Sequence, residues 1–161
     1  MNIFELITQS KKSCPVNLED LFLKLGISFK AKPLGPDIFG CLKKIDDDKF
    51  EVIVNSENSK TRQRFTAAHE LGHYVLHRHL LGNGVSDNIA YRSIAGSDCY
   101  NEKITAKHET EANSFAAEIL MPKEIVMREH EMYGADASQL ASYFKVSKTA
   151  MEIRLRSLGL N

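Results

Sequence analysis

The chain has no excess of either charge, little cysteine, and no long apolar run. Its 21 lysines and arginines balance 21 aspartates and glutamates over 161 residues. Without net charge there is no global field to draw in nucleic acid or an anionic membrane, so any such contact must come from a local patch. Cys14, Cys41 and Cys99 are odd in number, widely scattered, and form no CxxC pair. That argues against a disulfide framework or a thiolate zinc knot, and the three read as packing residues in a reducing cytoplasm. No stretch approaches the roughly 20 apolar residues of a membrane span. The opening MNIFELITQSKK has a short apolar run and no small-residue cleavage site, so no signal peptide is read there. Internal repeats and low-complexity tracts are also missing. The length suits one domain able to bury a core without covalent staples.

What is present reads as an α+β fold. VNLEDLFLKLGI has helical spacing and a glycine stop at Gly26. ISFKAKPL, FGCLKKI and FEVIVN are short, β-rich and separated by GPD and DDD, which predicts three strands of a small antiparallel sheet. In the last of these, Phe50, Val52 and Val54 alternate with Glu51, Ile53 and Asn55, so one face is apolar and the strand could lie at an edge. A helix is expected from about Lys60 to His79, and a second in TAKHETEANSFAAEILM, stopped by Pro122. Between them LGNGVSDNIAYRSIAGSDCYNEK is rich in Gly, Ser, Asn and Asp and reads as a long surface loop. Two or three short helices close the chain. The expected division is residues 1–125 as the main domain and 126–161 as a helical segment packed on it.

The first long helix carries His69-Glu70-Leu71-Gly72-His73, an HExxH pattern. Residues four apart lie one turn apart on the same face, so two imidazoles can bind one tetrahedral cation. Glu70 is about 100° round from His69, too far to join the ligands and close enough to hold the metal's water. Phe65, Gly72, Leu76 and Leu80 share the histidine face, while Ala67, Leu71 and Val75 lie opposite, so the helix is expected to be buried all round. Buried neutral histidines need partners, and a shared metal serves both.

A catalytic zinc takes three protein ligands. His79 has the metzincin spacing, but Leu76 stands where that arrangement needs a glycine to turn the chain. His77 is one turn further along and is carried away from the ion, as a surface residue or one standing behind a ligand. On the second helix Ala112, Phe115, Ala116, Ile119 and Leu120 form an apolar stripe. Glu109 falls about 50° from its centre, whereas Glu111 and Glu118 fall more than about 100° away. A carboxylate facing the core needs a counter-charge, which favours Glu109 as third ligand with Glu111 as runner-up. Asn113, one turn after Glu109, could orient a ligand from behind.

These residues together resemble the ImmA/IrrE family of metallopeptidases. The likeness rests on RQRFTAAHELGHYVLH, on ETEANSFAAEILMP, on the IVN strand before the first long helix, and on the closing LASYFKVSKTAMEIRLRSLGL. It implies one Zn2+ held by His69, His73 and Glu109, with Glu70 as general base. It also implies a partner: a repressor of the helix-turn-helix type, cleaved to derepress mobile-element or stress-response genes. A second donor to the carbonyl oxygen is expected from Tyr91, Arg92, Tyr100 or His108, and an extended substrate segment could pair with FEVIVN.

The closing segment itself reads like a helix-turn-helix, with Ala141, a tight KVS turn, and a helix bearing Lys148, Arg154 and Arg156. Its charge is modest and Glu152 interrupts the basic face, so packing on the peptidase unit is favoured over DNA contact through residues 138–157. Two other readings stay open. One is a DNA- or repressor-binding regulator with a mainly structural zinc; the other is a toxin or defence-system protease.

Overall fold

A computed structural model describes residues 2–81, 84–88, 103–134 and 136–160. The chain runs α1 (Ile3–Ser10), α2 (Leu18–Leu25), β1 (Ser28–Lys32), β2 (Ile38–Asp46), β3 (Lys49–Asn55), α3 (Lys60–His77), a 3-10 turn (Arg78–Leu80) and β4 (Gly84–Asn88). It continues with α4 (Ala106–Leu120), α5 (Lys123–Tyr133), α6 (Ala137–Phe144) and α7 (Lys148–Ser157). The fold is α+β.

Local chemistry accounts for most boundaries. The Asn2 side chain accepts from Glu5 N at 2.9 Å while Glu5 accepts from Asn2 N, a reciprocal cap that starts α1. Asn17 caps α2, and Gly26 ends it at φ 70°, a left-handed conformation that glycine adopts without steric cost. Ser59 caps α3, and the buried Gln63 amide ties the entering loop down by donating to Asn58 O at 2.6 Å. The α6–α7 turn takes the left-handed region at Lys145, φ 54°.

The sheet order is β1-β3-β2-β4. β2 pairs antiparallel with β3 (Leu42 opposite Val52) and with β4 (Leu42 opposite Val85). β1 pairs parallel with β3, Phe29 opposite Val52. The sheet is therefore mixed and four-stranded, not the three-stranded antiparallel one expected. The reason is topological: β2 and β3 form a hairpin, so β3 runs the same way as β1, and β1 docks beside β3 instead of β2. For the same reason β3 is interior. Ile53 and Asn55 are as buried as Val52 and Val54, and the Asn55 amide nitrogen donates to Gly35 O and Ile38 O at 2.7 and 2.9 Å. An extended substrate cannot add to this strand, because both its edges are already paired. Residues 84–88, expected in the loop, are strand β4.

One side of the sheet packs on α3, and α3 is covered in turn by α4. Leu42, Val52 and Val54 meet Ala67, Ala68 and Leu71 in a core that includes Ala116, Ile119 and Leu120 of α4. Each fully buried leucine or isoleucine here contributes about 1.5–3 kcal/mol. The same cluster takes in Leu140, Phe144, Met151 and Leu155, so α6 and α7 share this core. Burial of α3 is deepest in its middle; Leu76, expected to be inside, is 39% exposed. Cys41 is buried and disulfide-bonded, which corrects the reading of all three cysteines as unbridged and removes the cysteine argument for a reducing compartment. Among the described residues no helix is long and apolar enough to cross a membrane.

Two glycines set the layer spacing. A Cβ on Gly40 would lie 2.3 Å from Thr66 Cγ2 and 2.9 Å from Ile53 O, so β2 meets α3 only because that position has no side chain. A Cβ on Gly72 would lie 3.1 Å from both Cα and O of Ala112. The glycine of HExxH is thus a point where the backbones of α3 and α4 approach closely.

Candidate metal centre

The close approach at Gly72 and Ala112 carries the N-terminal turns of α4 over the histidine face of α3. His69 and His73 project from successive turns, and their Nε2 atoms lie 3.0 Å apart. Glu109 reaches in from the first turn of α4, with Oε2 3.3 Å from His69 Nε2 and Oε1 3.5 Å from His73 Nε2. Both rings are buried, and the carboxylate retains 22% exposure. These three are a group among the described residues whose donor atoms all fall within 4.8 Å of one another.

The hydrogen bonds behind the rings decide what the donors present. His69 Nδ1 lies 2.9 Å from Asn113 Oδ1, an acceptor, so Nδ1 carries the proton and Nε2 a lone pair. Burial pushes the His73 pKa down, against the hydrogen bond to Glu109 that favours its charged form, so this ring is held neutral. Burial opposes ionisation of Glu109, but any proton on a facing Nε2 of His69 or His73 hydrogen-bonds to it, which outweighs burial and keeps the carboxyl well below the usual range. Two Nε2 atoms at 3.0 Å can share at most one proton. Two neutral rings beside an ionised carboxylate make an electron-rich pocket that a cation would stabilise. A tetrahedral zinc with bonds of about 2.0–2.1 Å needs donor-to-donor edges of about 3.3–3.4 Å, and the edges here are 3.0, 3.3 and 3.5 Å. The residues fit that ion.

The other candidates are placed as follows. Glu70 is fully buried on α3 beside His69. His77 is buried one turn beyond His73, its Nδ1 3.1 Å from His73 Nδ1 and its Nε2 2.9 Å from Glu111 Oε2. The runner-up ligand Glu111 therefore faces His77 and stands outside the donor group. Sequence reasoning missed this pairing, although the spacing of four from His69 to His73 to His77 was a signal that all three share a face. His79 lies exposed in the 3-10 turn. His108, weighed as an oxyanion donor, accepts from Thr105 N at 3.1 Å and packs its ring 4.7 Å from His77. Tyr91, Arg92 and Tyr100 lie outside the described residues. Glu118 turns away and pairs with Lys11 and Arg154. Arg154 also donates to Met121 O at 3.0 Å, so this member of the expected basic face is engaged within the fold. A groove of about 790 Å³ between α3, α4 and α7 includes Phe65, Asn113 and Ile153 in its wall, with Asn113 standing between it and the His69 ring.

An interior helix with two histidines and a third donor from a second helix is the arrangement of a metal-dependent hydrolase. Residues 41–156 match the family profile described as the IrrE N-terminal-like domain. The chain is 30% identical over 136 residues to the radiation response metalloprotease IrrE of Deinococcus radiodurans, covering 83% of this chain and 37% of that protein. It is 26% identical over 111 residues to metallopeptidase ImmA of Bacillus subtilis, covering 68% of this chain and 58% of that protein. The chain belongs to the ImmA/IrrE family of metallopeptidases. It spans 37% and 58% of the lengths of these two relatives.

Proposed function

We propose that the chain is a zinc-dependent endopeptidase in which His69, His73 and Glu109 hold one Zn2+ and Glu70 is the general base. The observation that carries this reading is the triangle of donor atoms drawn from two helices, with His69 Nδ1 against the Asn113 carbonyl oxygen so that its Nε2 lone pair faces the centre. When bound, zinc would supply a Lewis acid that polarises the scissile carbonyl and brings the pKa of a water toward ~7.

The chain's own groups do the rest. Glu70 takes the proton of the attacking water on a carboxylate oxygen and passes it to the leaving amine. Its full burial keeps bulk water from competing for that proton. Asn113 holds the His69 ring by its Nδ1–H.

The substrate we propose is a repressor of the helix-turn-helix type, whose cleavage would switch on stress-response or mobile-element genes. Membership of a family that includes a radiation response metalloprotease supports this reading. Such a partner places the enzyme in the cytoplasm. In the same reading residues 1–125 form the peptidase unit and residues 126–161 brace it, since Arg154 is tied to α4.

The test is a co-incubation with zinc and a small helix-turn-helix repressor encoded beside this chain. A new repressor fragment is expected with the natural chain and none with Glu70→Gln, while both bind one zinc. Undiminished cleavage by Glu70→Gln would remove the general-base assignment.

A further inference from the structure

We propose that His77 and Glu111 are positioning residues that lock the His73 ring in its metal-binding tautomer. This rests on the zinc reading above. For His73 to offer Nε2 to a metal, its proton must sit on Nδ1, and that atom faces His77 Nδ1 at 3.1 Å. Two ring nitrogens at this distance need one donor and one acceptor. His77 Nδ1 must then accept, which puts the proton of His77 on its own Nε2. That nitrogen lies 2.9 Å from Glu111 Oε2, a group that only accepts when ionised.

The proton order is therefore fixed from the outer end: Glu111 accepts from His77 Nε2–H, and His77 Nδ1 accepts from His73 Nδ1–H. Were His77 to donate from Nδ1 instead, His73 would carry its proton on Nε2, aimed at His69 Nε2 3.0 Å away, and could not ligate. The chain is built for this order. His77 is 3% exposed, so water does not compete for its nitrogens. The His108 ring covers its face at 4.7 Å, and His108 is itself held by Thr105 N at Nδ1. His69 reaches the same end by one bond to Asn113. The two ligands thus have separate outer holders, a side-chain amide for one and a histidine–carboxylate pair for the other.

The experiment uses the full chain and three variants: His77→Phe, Glu111→Ala and Glu109→Ala. Zinc affinity is measured by competition with a chromophoric chelator, and the His73 tautomer of the zinc-free chain is read from ring 15N–1H correlations. Nδ1–H is expected for His73 in the natural chain. In His77→Phe and Glu111→Ala it should give way to Nε2–H, with zinc binding weakened about 10- to 100-fold. Either change without the other overturns the proposal, because lost affinity at an unchanged tautomer is only electrostatic or structural. Should His77→Phe fail to fold, Glu111→Ala alters only a partly exposed carboxylate and decides alone. If the natural chain binds zinc and Glu109→Ala does not, while the other two variants behave as the natural chain, only the relay falls. If the natural chain binds no zinc, the metal reading falls and the relay with it.

Discussion

At its C-terminal end α4 sets Glu118 between Lys11 and Arg154, two permanent cations that arrive from opposite ends of the chain. At its N-terminal end the same helix sets Glu109 against two rings whose proton-bearing nitrogens are turned away from it or kept neutral. Both carboxyls are held below the usual range against burial, Glu118 by hydrogen bonds from Lys11 and Arg154 and Glu109 by hydrogen bonding of any proton on the facing imidazole nitrogens. The difference lies in what balances the charge. Glu118 is neutralised by the fold and serves to fasten α1 and α7 to α4. Glu109 is not neutralised by neutral imidazoles, and in the proposed reading an ion from solution completes its site. One helix carries a structural carboxylate and a proposed ligand carboxylate, and only the partner's chemistry tells them apart.

The sharpest way to break this contrast is to remove each carboxylate in turn. Glu109→Ala should weaken zinc binding by more than the roughly 100-fold that loss of an outer partner gives, whereas Glu118→Ala should leave zinc affinity within a few-fold, both by chelator competition. Equal losses in the two variants would erase the distinction. Next in size is the effect of the ion on stability. Zinc at about 100 times its dissociation constant should raise unfolding free energy by about 2.7 kcal/mol. Glu109→Ala should show no such gain in a denaturant titration, and Glu118→Ala should show it in full.

A smaller effect is expected at the helix crossing. Gly72→Ala must push its new methyl against the backbone of Ala112, 3.1 Å away. Overpacking of about 1–3 kcal/mol, less about 1 kcal/mol gained in helix propensity, leaves a net loss of about 1 kcal/mol. Because α4 must shift by tenths of an ångström, zinc affinity should fall as well. An alanine variant with unchanged affinity would show that the crossing does not set the donor spacing.

The smallest effect belongs to the structural end. The folded-state pKa of Glu118 is depressed, so its contribution is present above the ordinary carboxyl value of about 4.3 and is lost as pH falls through the lower folded value. With the carboxylate 39% exposed, solvent screening limits this to about 0.5–1 kcal/mol. Glu118→Gln should flatten the acid side of the stability profile by that amount. A profile identical to that of the natural chain would show that the knot contributes nothing.

How much of this was legible in the sequence follows the range of the interactions involved. The stripe from Ala112 to Leu120 and the HExxH spacing are properties of single helices, so α3, α4 and the inward bearing of Glu109 could be read at a distance. The direction of β1 could not, because it depends on a hairpin returning the chain beside a strand more than twenty residues on. β4 was hidden by its composition: GVSDN carries turn-forming residues, and it is a strand only because β2 offers it an edge. α1 was overlooked because eight residues give too little periodicity, though the Asn2 and Glu5 caps were in plain view. Glu111 was weighed as a ligand on bearing alone, and its engagement with His77 depends on the relative rotation of two helices.

By itself, then, the sequence determined which residues share a helical face, because a helix repeats every 3.6 residues whatever surrounds it. It thereby paired His69 with His73 and marked Glu109 as a core-facing charge. Only the tertiary structure decided which carboxylate meets which ring and which ring nitrogen keeps its proton. Those outcomes depend on separations of about 3 Å between chain segments more than thirty residues apart, and such distances are set by packing at points such as Gly72 and Ala112, not by any local periodicity.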